Sequence, residues 1–341
     1  MTRNTKEIHF SVSASKIKPP FEVDPTMLFY SPQETVDAFS HPRVSVHHDW
    51  VANDWVPPDG FPRIALIIPC TKFKPYPTSR EHRSINRALM ADGWEPDGSG
   101  KPPLGLDGAL DEGEDRRLLD VGTMFRRGVA LDRIVISEPL GLVPYTHVYE
   151  FNGDPSPASG YDCPGLFESR GTSVSPWRED HTAVQTASGR WTWGPREREA
   201  YVTAHNTLVD LVYQTLHRVG PRYGGIVAWV SPGLTHRSFL MDERQRKLEG
   251  LPLRRKSTHG MLALRGVRDQ GPGLLDILPT TAQMVGAQEK LAERLKREGR
   301  NYSRKAVQGV YARGDGHDTP LGLPELLTHL VAWINKQAAE V

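Results

Sequence analysis

The chain has 341 residues, and its 42 lysines and arginines nearly balance its 41 aspartates and glutamates. This length is enough for one large or two ordinary domains with a buried core. The near-zero net charge argues against nucleic-acid binding by bulk charge alone, and the many glycines and prolines show no repeat period, which excludes a fibrous protein.

The two cysteines, Cys70 and Cys163, are too few for a disulfide framework in a chain of this size. The opening residues (MTRNTKEIHF) lack the apolar segment of a signal peptide. The longest apolar run, Ile64 to Ile68, is far shorter than a membrane span. We therefore expect a reducing, cytoplasmic setting and no membrane partner.

Residues 1–62 contain repeated prolines, which argue against a long helix. One stretch in this region, Ser31 to Phe39 (SPQETVDAF), has a serine cap, a proline at the first helical position and a glutamate at the third. These residues predict a short helix. We interpret residues 1–62 as a lead-in that packs on the main domain.

Three aliphatic runs predict buried strands: Arg63 to Pro69 (RIALIIP), Arg133 to Ser137 (RIVIS) and Gly225 to Val230 (GIVAWV). The runs alternate with helical segments, of which the stretch 195–219 is the longest. This pattern is typical of an α/β fold with three layers, in which helices flank an open and mostly parallel sheet. We assign residues 63–240 to this core domain.

Functional side chains of an open α/β sheet gather in the loops at the carboxyl ends of the strands. Those loops begin here at Cys70, Glu138 and Ser231. The segment from Cys70 to Arg83 (CTKFKPYPTSREHR) has the highest density of reactive and titratable side chains. Neighbouring cations favour the thiolate form of a cysteine, and His82 has the residue type of a general acid or base. The segment predicts a reactive pocket, and the alternative is a proline-rich surface loop with a half-buried cysteine.

Metal and nucleotide sites are not predicted. Cys70, Cys163, His82 and His181 could meet in space, but no CxxC or HxxxH spacing supports a zinc site. Neither a GxGxxG nor a P-loop element is present, so we expect no cofactor. The pairs His47–His48 and His236–Arg237 are expected at the surface.

The first loop also carries a longer motif, PC-x3-KPY-x2-S-x2-H. It is complete in this chain as Pro69, Cys70, Lys74, Pro75, Tyr76, Ser79 and His82. The motif resembles the signature of the archaeosine synthase core domain. The segments HPRV, RIVISEPLGLVP and YDCP, the last with Cys163 in place of the usual aliphatic residue, are similar to further blocks of that family. The resemblance covers roughly residues 40–235.

The resemblance implies a fold like that of uracil-DNA glycosylases and an enzyme that modifies 7-deazaguanine. Such an enzyme adds an amine, such as lysine, to the nitrile of 7-cyano-7-deazaguanine in nucleic acid. We assign catalysis to Cys70, Lys74 and His82. Cys70 either attacks the nitrile or only shapes the pocket while the amine attacks directly. The predicted substrate contacts are Tyr76, Ser79, Arg83, Glu138, Gly141 and Asp162.

These assignments have structural alternatives. Glu138 and Asp162 are equally consistent with loop or capping acids, and Gly141 with a tight turn. Larger members of the family carry a transglycosylase-like barrel and an RNA-binding PUA domain, and neither is recognisable here. The carrier is therefore either tRNA or DNA, and a partner protein could supply the transglycosylase function. Other interpretations are a non-catalytic module that binds nucleic acid or a base, base exchange, and another change at the 7-substituent.

Residues 241–341 are predicted to form a basic loop followed by helices at 281–298 and 323–338. Residues 242–268 include eight basic and three acidic side chains. Such a stretch predicts contacts with nucleic-acid phosphates, and the alternative is a solvated loop that balances the acidic insertion at 107–115. The predicted phosphate contacts are Arg244, Arg246, Lys247, Arg254, Arg255 and Lys256.

Overall fold

The computed structural model describes residues 3–168 and 171–341. The helices are α1 (Arg3–Ala14), α2 (Pro32–Asp37), α3 (Pro42–Asp49), α4 (Arg80–Ala91), α5 (Pro157–Gly160), α6 (Pro195–Val219), α7 (Thr235–Leu240), α8 (Glu243–Leu248), α9 (Val267–Gln270), α10 (Thr281–Arg297), α11 (Arg304–Ala312) and α12 (Pro324–Glu340). The strands are β1 (Arg63–Pro69), β2 (Glu95–Pro96), β3 (Met124–Arg126), β4 (Val129–Ser137), β5 (Gly141–Pro144), β6 (Glu150–Phe151), β7 (Asp154–Pro155), β8 (Val184–Gln185), β9 (Trp191–Thr192), β10 (Gly225–Trp229), β11 (Arg254–Ser257), β12 (Gly260–Ala263) and β13 (Asp276–Leu278).

A mixed, mostly parallel sheet forms the centre of the fold, and helices flank it. Its strand order is β13-β10-β1-β4-β3-β2, and β5 also pairs with β4. The ladders from β13 to β4 are parallel, whereas β3 and β5 run antiparallel to the first and second halves of β4. The α/β class predicted from the sequence is therefore confirmed.

The central strands are aliphatic because both of their faces are covered. Every residue of β1 and β4 is buried. Side chains alternate across a strand, so Leu66 and Ile68 belong to one core cluster while Ala65 and Ile67 belong to the other. Continuous aliphatic runs are typical of strands buried on two sides.

Helices form the outer layers. On one face, α6 contributes Leu208 and Val212 to the cluster that contains Ile67. On the other face, Ile85 of α4 and Leu330 of α12 belong to the opposite cluster. The predicted helix 195–219 has the bounds of α6, and the predicted cap of Ser31 begins α2, where its hydroxyl accepts from the backbone N–H of Glu34.

The two terminal segments are part of this fold. Bridges join Ile17 to Lys74 and Leu28 to Asp162, so the lead-in lies against the core. Residues 241–341 supply β13 to the sheet. None of the helices in the described residues is long and apolar enough to span a bilayer.

Candidate active site

Three neighbouring parallel strands each lead to one residue of the candidate site. Cys70 follows β1, Glu138 follows β4, and His236 lies in α7, a short loop beyond β10. The Cys70 backbone N–H donates to the carbonyl of Ile136 at 2.8 Å, which extends the pairing of β1 with β4 as far as the cysteine. The three side chains therefore meet at the carboxyl edge of the sheet, where open α/β folds bind ligands.

The functional atoms of these residues converge on one ring nitrogen. His236 Nε2 lies 2.9 Å from Glu138 Oε2 and 3.4 Å from Cys70 Sγ. Cys70 Sγ lies 3.7 Å from the same Glu138 oxygen. Glu138 and His236 are both 2% exposed, whereas Cys70 is half-buried. The sulfur is therefore the most accessible member of the cluster.

Glu138 and His236 stabilise each other's charged forms. Burial alone would lower the pKa of His236, but the adjacent Glu138 carboxylate and the Cys70 sulfur raise it well above its ordinary value. Burial alone would raise the pKa of Glu138, and the charge and hydrogen bond of His236 lower it below its usual range instead. An imidazolium between a carboxylate and a sulfur is the expected state of this cluster at neutral pH.

All three side chains line a cavity of about 110 Å³. Lys74 and Asp162 contribute to one of its walls. The Lys74 ammonium donates to the carbonyl of Thr71 at 2.7 Å and lies 4.5 Å from the centre of the Tyr161 ring. Asp162 accepts from the Lys16 ammonium at 2.5 Å. Cys70, Lys74, Glu138 and Asp162 are thus the sequence-predicted residues that line this cavity.

Glu81 and the C-terminal segment contribute to the cavity from another direction. Burial raises the pKa of the Glu81 carboxyl to about 7, although Thr319 donates a hydrogen bond to it. Lys72 forms an ion pair of 2.6 Å with Asp318, and both side chains are about two-fifths exposed. Glu81 was not predicted as a site residue, and its titration near neutral pH suits proton transfer.

His82 does not belong to the cavity lining, which corrects the sequence prediction. Its ring is fully buried, with Nε2 2.9 Å from the carbonyl of Pro69 and Nδ1 3.1 Å from the hydroxyl of Tyr145. Both ring nitrogens therefore hold the loop against the core. The imidazole beside Cys70 is that of His236.

Tyr76 and Ser79 also have structural positions in place of the predicted substrate contacts. Tyr76 is fully buried, and its hydroxyl contacts those of Ser137 and Tyr161 at 3.1 and 3.0 Å. Tyr161, not Tyr76, lines the cavity. The Ser79 hydroxyl accepts from the backbone N–H of His82 and caps α4, which is a common role for serine at a helix start.

Arg83 and Gly141 likewise do not contact the cavity. Arg83 is buried and forms ion pairs with Asp111 and Glu114 at 3.0 and 2.6 Å. Gly141 has a φ of +73°, and a Cβ at this position would lie 2.5 Å from Leu211 Cδ2. Only glycine fits this turn between β4 and β5, so its role is conformational.

The predicted basic surface divides into exposed and internal residues. Arg246 is 1% exposed, pairs with Asp269 at 2.7 Å and donates to the carbonyls of Met241 and Leu264, so it is not accessible to a phosphate. Arg255 is half-buried against Tyr201 and pairs with Glu168. The predicted residues that remain exposed are Arg244, Lys247, Arg254 and Lys256.

The surface position predicted for His236–Arg237 is wrong, because both side chains are buried. It is also wrong for His47 of the pair His47–His48, which is buried, whereas His48 is half-buried. The Arg237 guanidinium forms an ion pair with the Glu249 carboxylate at 2.5 Å. The position of His236 in the sequence could have identified it as a site residue. It closely follows the third predicted strand, in the loop that begins at Ser231. Its residue type suits acid–base chemistry or metal binding.

No family profile, no curated protein and no solved structure matches this chain. The residues of the cavity are therefore the guide to its chemistry. They combine a sulfur nucleophile, an imidazole, ammonium groups and carboxylates around one cavity. This combination suits addition to a polarised carbon–nitrogen bond.

Proposed function

We propose that the protein adds an amine to the nitrile of 7-cyano-7-deazaguanine carried in tRNA or DNA. The observation that carries this proposal is the half-buried thiol of Cys70, which opens into the cavity in contact with the His236 imidazole and the Glu138 carboxylate. The complete motif between Pro69 and His82, which resembles that of archaeosine synthases, supplies the loop around this thiol.

The fold supports the same proposal at a coarser level. The family resemblance implies a sheet like that of uracil-DNA glycosylases, and the mixed, mostly parallel sheet of this chain is consistent with that implication. The cavity lies at the carboxyl edge of β1, β4 and β10. Ligands bind at this edge in open α/β sheets.

The proposed reaction proceeds through a covalent adduct. The thiol proton of Cys70 leaves to solvent, and the sulfur attacks the nitrile carbon to form a thioimidate. The nitrile nitrogen takes up a proton from the His236 imidazolium, which regains one from solvent at the end of the cycle. The amine then attacks the same carbon, the carbon–sulfur bond breaks, and an amidine forms as the sulfur regains a proton. Nothing is oxidised or reduced in this sequence.

The remaining polar residues of the cavity have matching roles in the proposal. Glu81 accepts the proton that the incoming amine must lose, since its pKa of about 7 leaves a fraction of it ionised at neutral pH. Lys74 places a positive charge close to Tyr161 and the cavity, where charge develops on the nitrile nitrogen. Asp162 and Glu138 accept from the N–H groups of a guanine-like edge.

The test uses the purified full chain, a tRNA or DNA substrate with 7-cyano-7-deazaguanine, and lysine or another primary amine. We expect nucleoside mass spectrometry to show the mass of the nitrile plus that of the amine. Cys70→Ala should lose the product, and Cys163→Ala, which removes the other thiol, should retain it. Full activity of Cys70→Ala would exclude the covalent route.

The same experiment separates the alternatives. Binding of the modified nucleic acid without any mass change, with every amine tried, would contradict the enzyme and favour a module that only recognises the base. Nucleosides from tRNA and DNA of cells with and without this gene would then identify the carrier. A product with a different base in place of 7-cyano-7-deazaguanine would favour base exchange.

A further inference from the structure

The atoms around His236 Nε2 differ from a hydrogen-bonded catalytic relay. In a relay of nucleophile, histidine and carboxylate, each ring nitrogen serves one partner. Here Cys70 Sγ and Glu138 Oε2 both contact Nε2, and the buried Nδ1 has no hydrogen-bond partner within residues 3–168 and 171–341. A single N–H group cannot be aligned with both partners at once. The three atoms instead surround one common point.

We propose that Cys70, Glu138 and His236 bind one divalent cation of the zinc class. A sulfur, an imidazole nitrogen and a carboxylate oxygen are ligands that Zn²⁺ takes together, whereas Mg²⁺ and Ca²⁺ prefer oxygen alone. Within the described parts of the chain, this is the one group of three such residues whose ligand atoms all lie within 4.8 Å of one another.

The distances fit a tetrahedral ion. Ordinary zinc–ligand bond lengths at tetrahedral angles separate the ligand atoms by about 3.4 to 3.6 Å. The separations here are 2.9 Å between nitrogen and oxygen, 3.4 Å between sulfur and nitrogen, and 3.7 Å between sulfur and oxygen. Shifts of a few tenths of an ångström would therefore bring all three atoms to bonding distance.

The surroundings of the three residues also favour an ion. Each residue follows a different strand of one sheet, so the ligands are held by rigid elements. Glu138 Oε1 is buried without a hydrogen-bond partner in the described residues, which leaves an unsatisfied acceptor beside the position of the ion. Three protein ligands leave the fourth position open towards the cavity, as in zinc sites that bind an exchangeable ligand.

This site would regulate the reaction proposed above, although metal binding itself does not depend on that reaction. When the ion binds, the S–H bond of Cys70 and the N–H bond at His236 Nε2 break, bonds from the metal to sulfur and nitrogen form, and both protons leave to solvent without electron transfer. The same sulfur cannot then attack a nitrile carbon. Cys70 therefore cannot bind zinc and carry the thioimidate at the same time.

The test is a titration of the metal-free full chain with Co²⁺ alone, followed by displacement with Zn²⁺. We expect one Co²⁺ per chain and a sulfur-to-cobalt charge-transfer band in the near ultraviolet, which Zn²⁺ removes. Cys70→Ser should abolish the band, and Glu138→Gln or His236→Asn should weaken Co²⁺ binding by about tenfold or more. Cys163→Ser, which leaves the cluster intact, should bind as the unaltered protein does.

Near-ultraviolet circular dichroism shows which variants are folded. A folded Cys70→Ser protein with the same band and affinity would overturn the proposal, as would the absence of stoichiometric Co²⁺ binding in the unaltered chain. Protection of Cys70 from a thiol reagent by Zn²⁺, measured in the Cys163→Ser background, provides an independent readout that needs no substrate. Unchanged reactivity with saturating Zn²⁺ would also overturn it. Failure of the amine-addition assay alone affects only the function proposed above.

Discussion

The Cys70 thiol and the Cys163 thiol have different surroundings although both line the same cavity. Cys70 is half-buried beside His236, whereas Cys163 is buried and contacts the hydroxyl of Thr35 at 3.5 Å. Burial raises the pKa of the Cys163 thiol well above its ordinary value. We therefore infer that reagents and substrates which reach the cavity discriminate between the two sulfurs, because only the thiolate is a strong nucleophile.

The two histidines near the motif should differ in their effect on that reactivity. In metal-free protein at pH 7, we expect His236→Asn to slow alkylation of Cys70 by about tenfold or more, since His236 contacts the sulfur. His82→Asn should leave the alkylation rate within about twofold in folded protein, because its ring contacts Pro69 and Tyr145 instead. Mass spectrometry of labelled peptides measures both rates. Equal slowing by the two substitutions would contradict the site as described.

Buried neutral histidines predict loss of stability in acid. Burial lowers the pKa of His47 to about 3 and that of His82 to about 4. An unfolded histidine titrates near 6.5, so below that pH the unfolded chain binds protons that the folded chain does not. The free energy of unfolding is therefore fully retained above about pH 6.5 and should fall below it, by about 1.4 kcal/mol per pH unit for each histidine.

Urea unfolding at pH 7.5, 6, 5 and 4 measures this loss. His47→Gln should be less stable at pH 7.5, because the Gln side chain does not reproduce the fit of the ring. Its stability should nevertheless fall less steeply between pH 6 and 4, by about 1.4 kcal/mol per pH unit. A slope equal to that of the unaltered chain would show that His47 does not carry this acid sensitivity.

At the scale of elements, the hairpin of β11 and β12 presents two different faces. Arg255 and its partner Leu262 face the rest of the protein, where Arg255 lies 5.3 Å from the Tyr201 ring centre. Arg254 and Lys256 alternate with Arg255 and are exposed. Arg255 also pairs with Glu168, which adjoins the cavity-lining Phe167. Under the proposed function, Arg254 and Lys256 are the exposed basic residues of this hairpin that would contact the phosphates of the nucleic acid.

We expect Arg254→Ala combined with Lys256→Ala to weaken binding of both tRNA and DNA. The slope of log K against log salt should decrease by about 1.4 to 1.8, because each lost phosphate contact removes about 0.7 to 0.9 from it. Arg246→Ala should instead lower the free energy of unfolding by about 3 kcal/mol, since it removes the buried guanidinium that pairs with Asp269 and donates to two backbone carbonyls. A salt titration and urea unfolding distinguish the two effects. An unchanged slope would favour a basic surface without a partner.

The elements that could be predicted from sequence are those with one strong pattern. The runs that form β1 and β10 and the helix α6 are aliphatic or amphipathic along their length. The hairpin was predicted as a loop because its outward face is basic and its inward face includes Arg255. β13 was also missed, since a strand of three residues has no measurable period.

At the scale of the whole molecule, the C-terminal hundred residues are part of the core. β13 extends the sheet beside β10, and Leu326 and Leu330 of α12 belong to the same buried cluster as Leu66 of β1. The boundary predicted at residue 240 therefore does not separate two units that fold alone. Sequence reasoning could not show this, because contacts between positions so far apart leave no local signal.

A chain that ends at residue 240 should therefore not fold cooperatively. We expect it to bind a dye for exposed apolar surface and to lack a sharp unfolding transition, because one face of β1 loses the part of its cover that α12 supplies. Removal of residues 1–10 is the matched control, since the side chains described in that stretch are half-buried or exposed. A sharp transition in the shortened chain would contradict this account.

The site could be predicted only in part for the same reason. Cys70, Lys74, Glu138 and Asp162 were predicted as site residues, and the structure brings them to one cavity. His236 was missed because it approaches the sulfur across 166 positions of sequence. The misassigned motif residues, such as His82 and Ser79, are adjacent in sequence to the reactive loop but point into the core or cap a helix.

The cavity also has a consequence for protein synthesis. Its walls come from stretches as distant as Lys16, Cys70, His236 and Thr319. A growing chain on the ribosome exposes Cys70 long before Thr319 and α12 have emerged. We therefore expect the sulfur to acquire its selective reactivity and its affinity for a metal ion only near the end of translation.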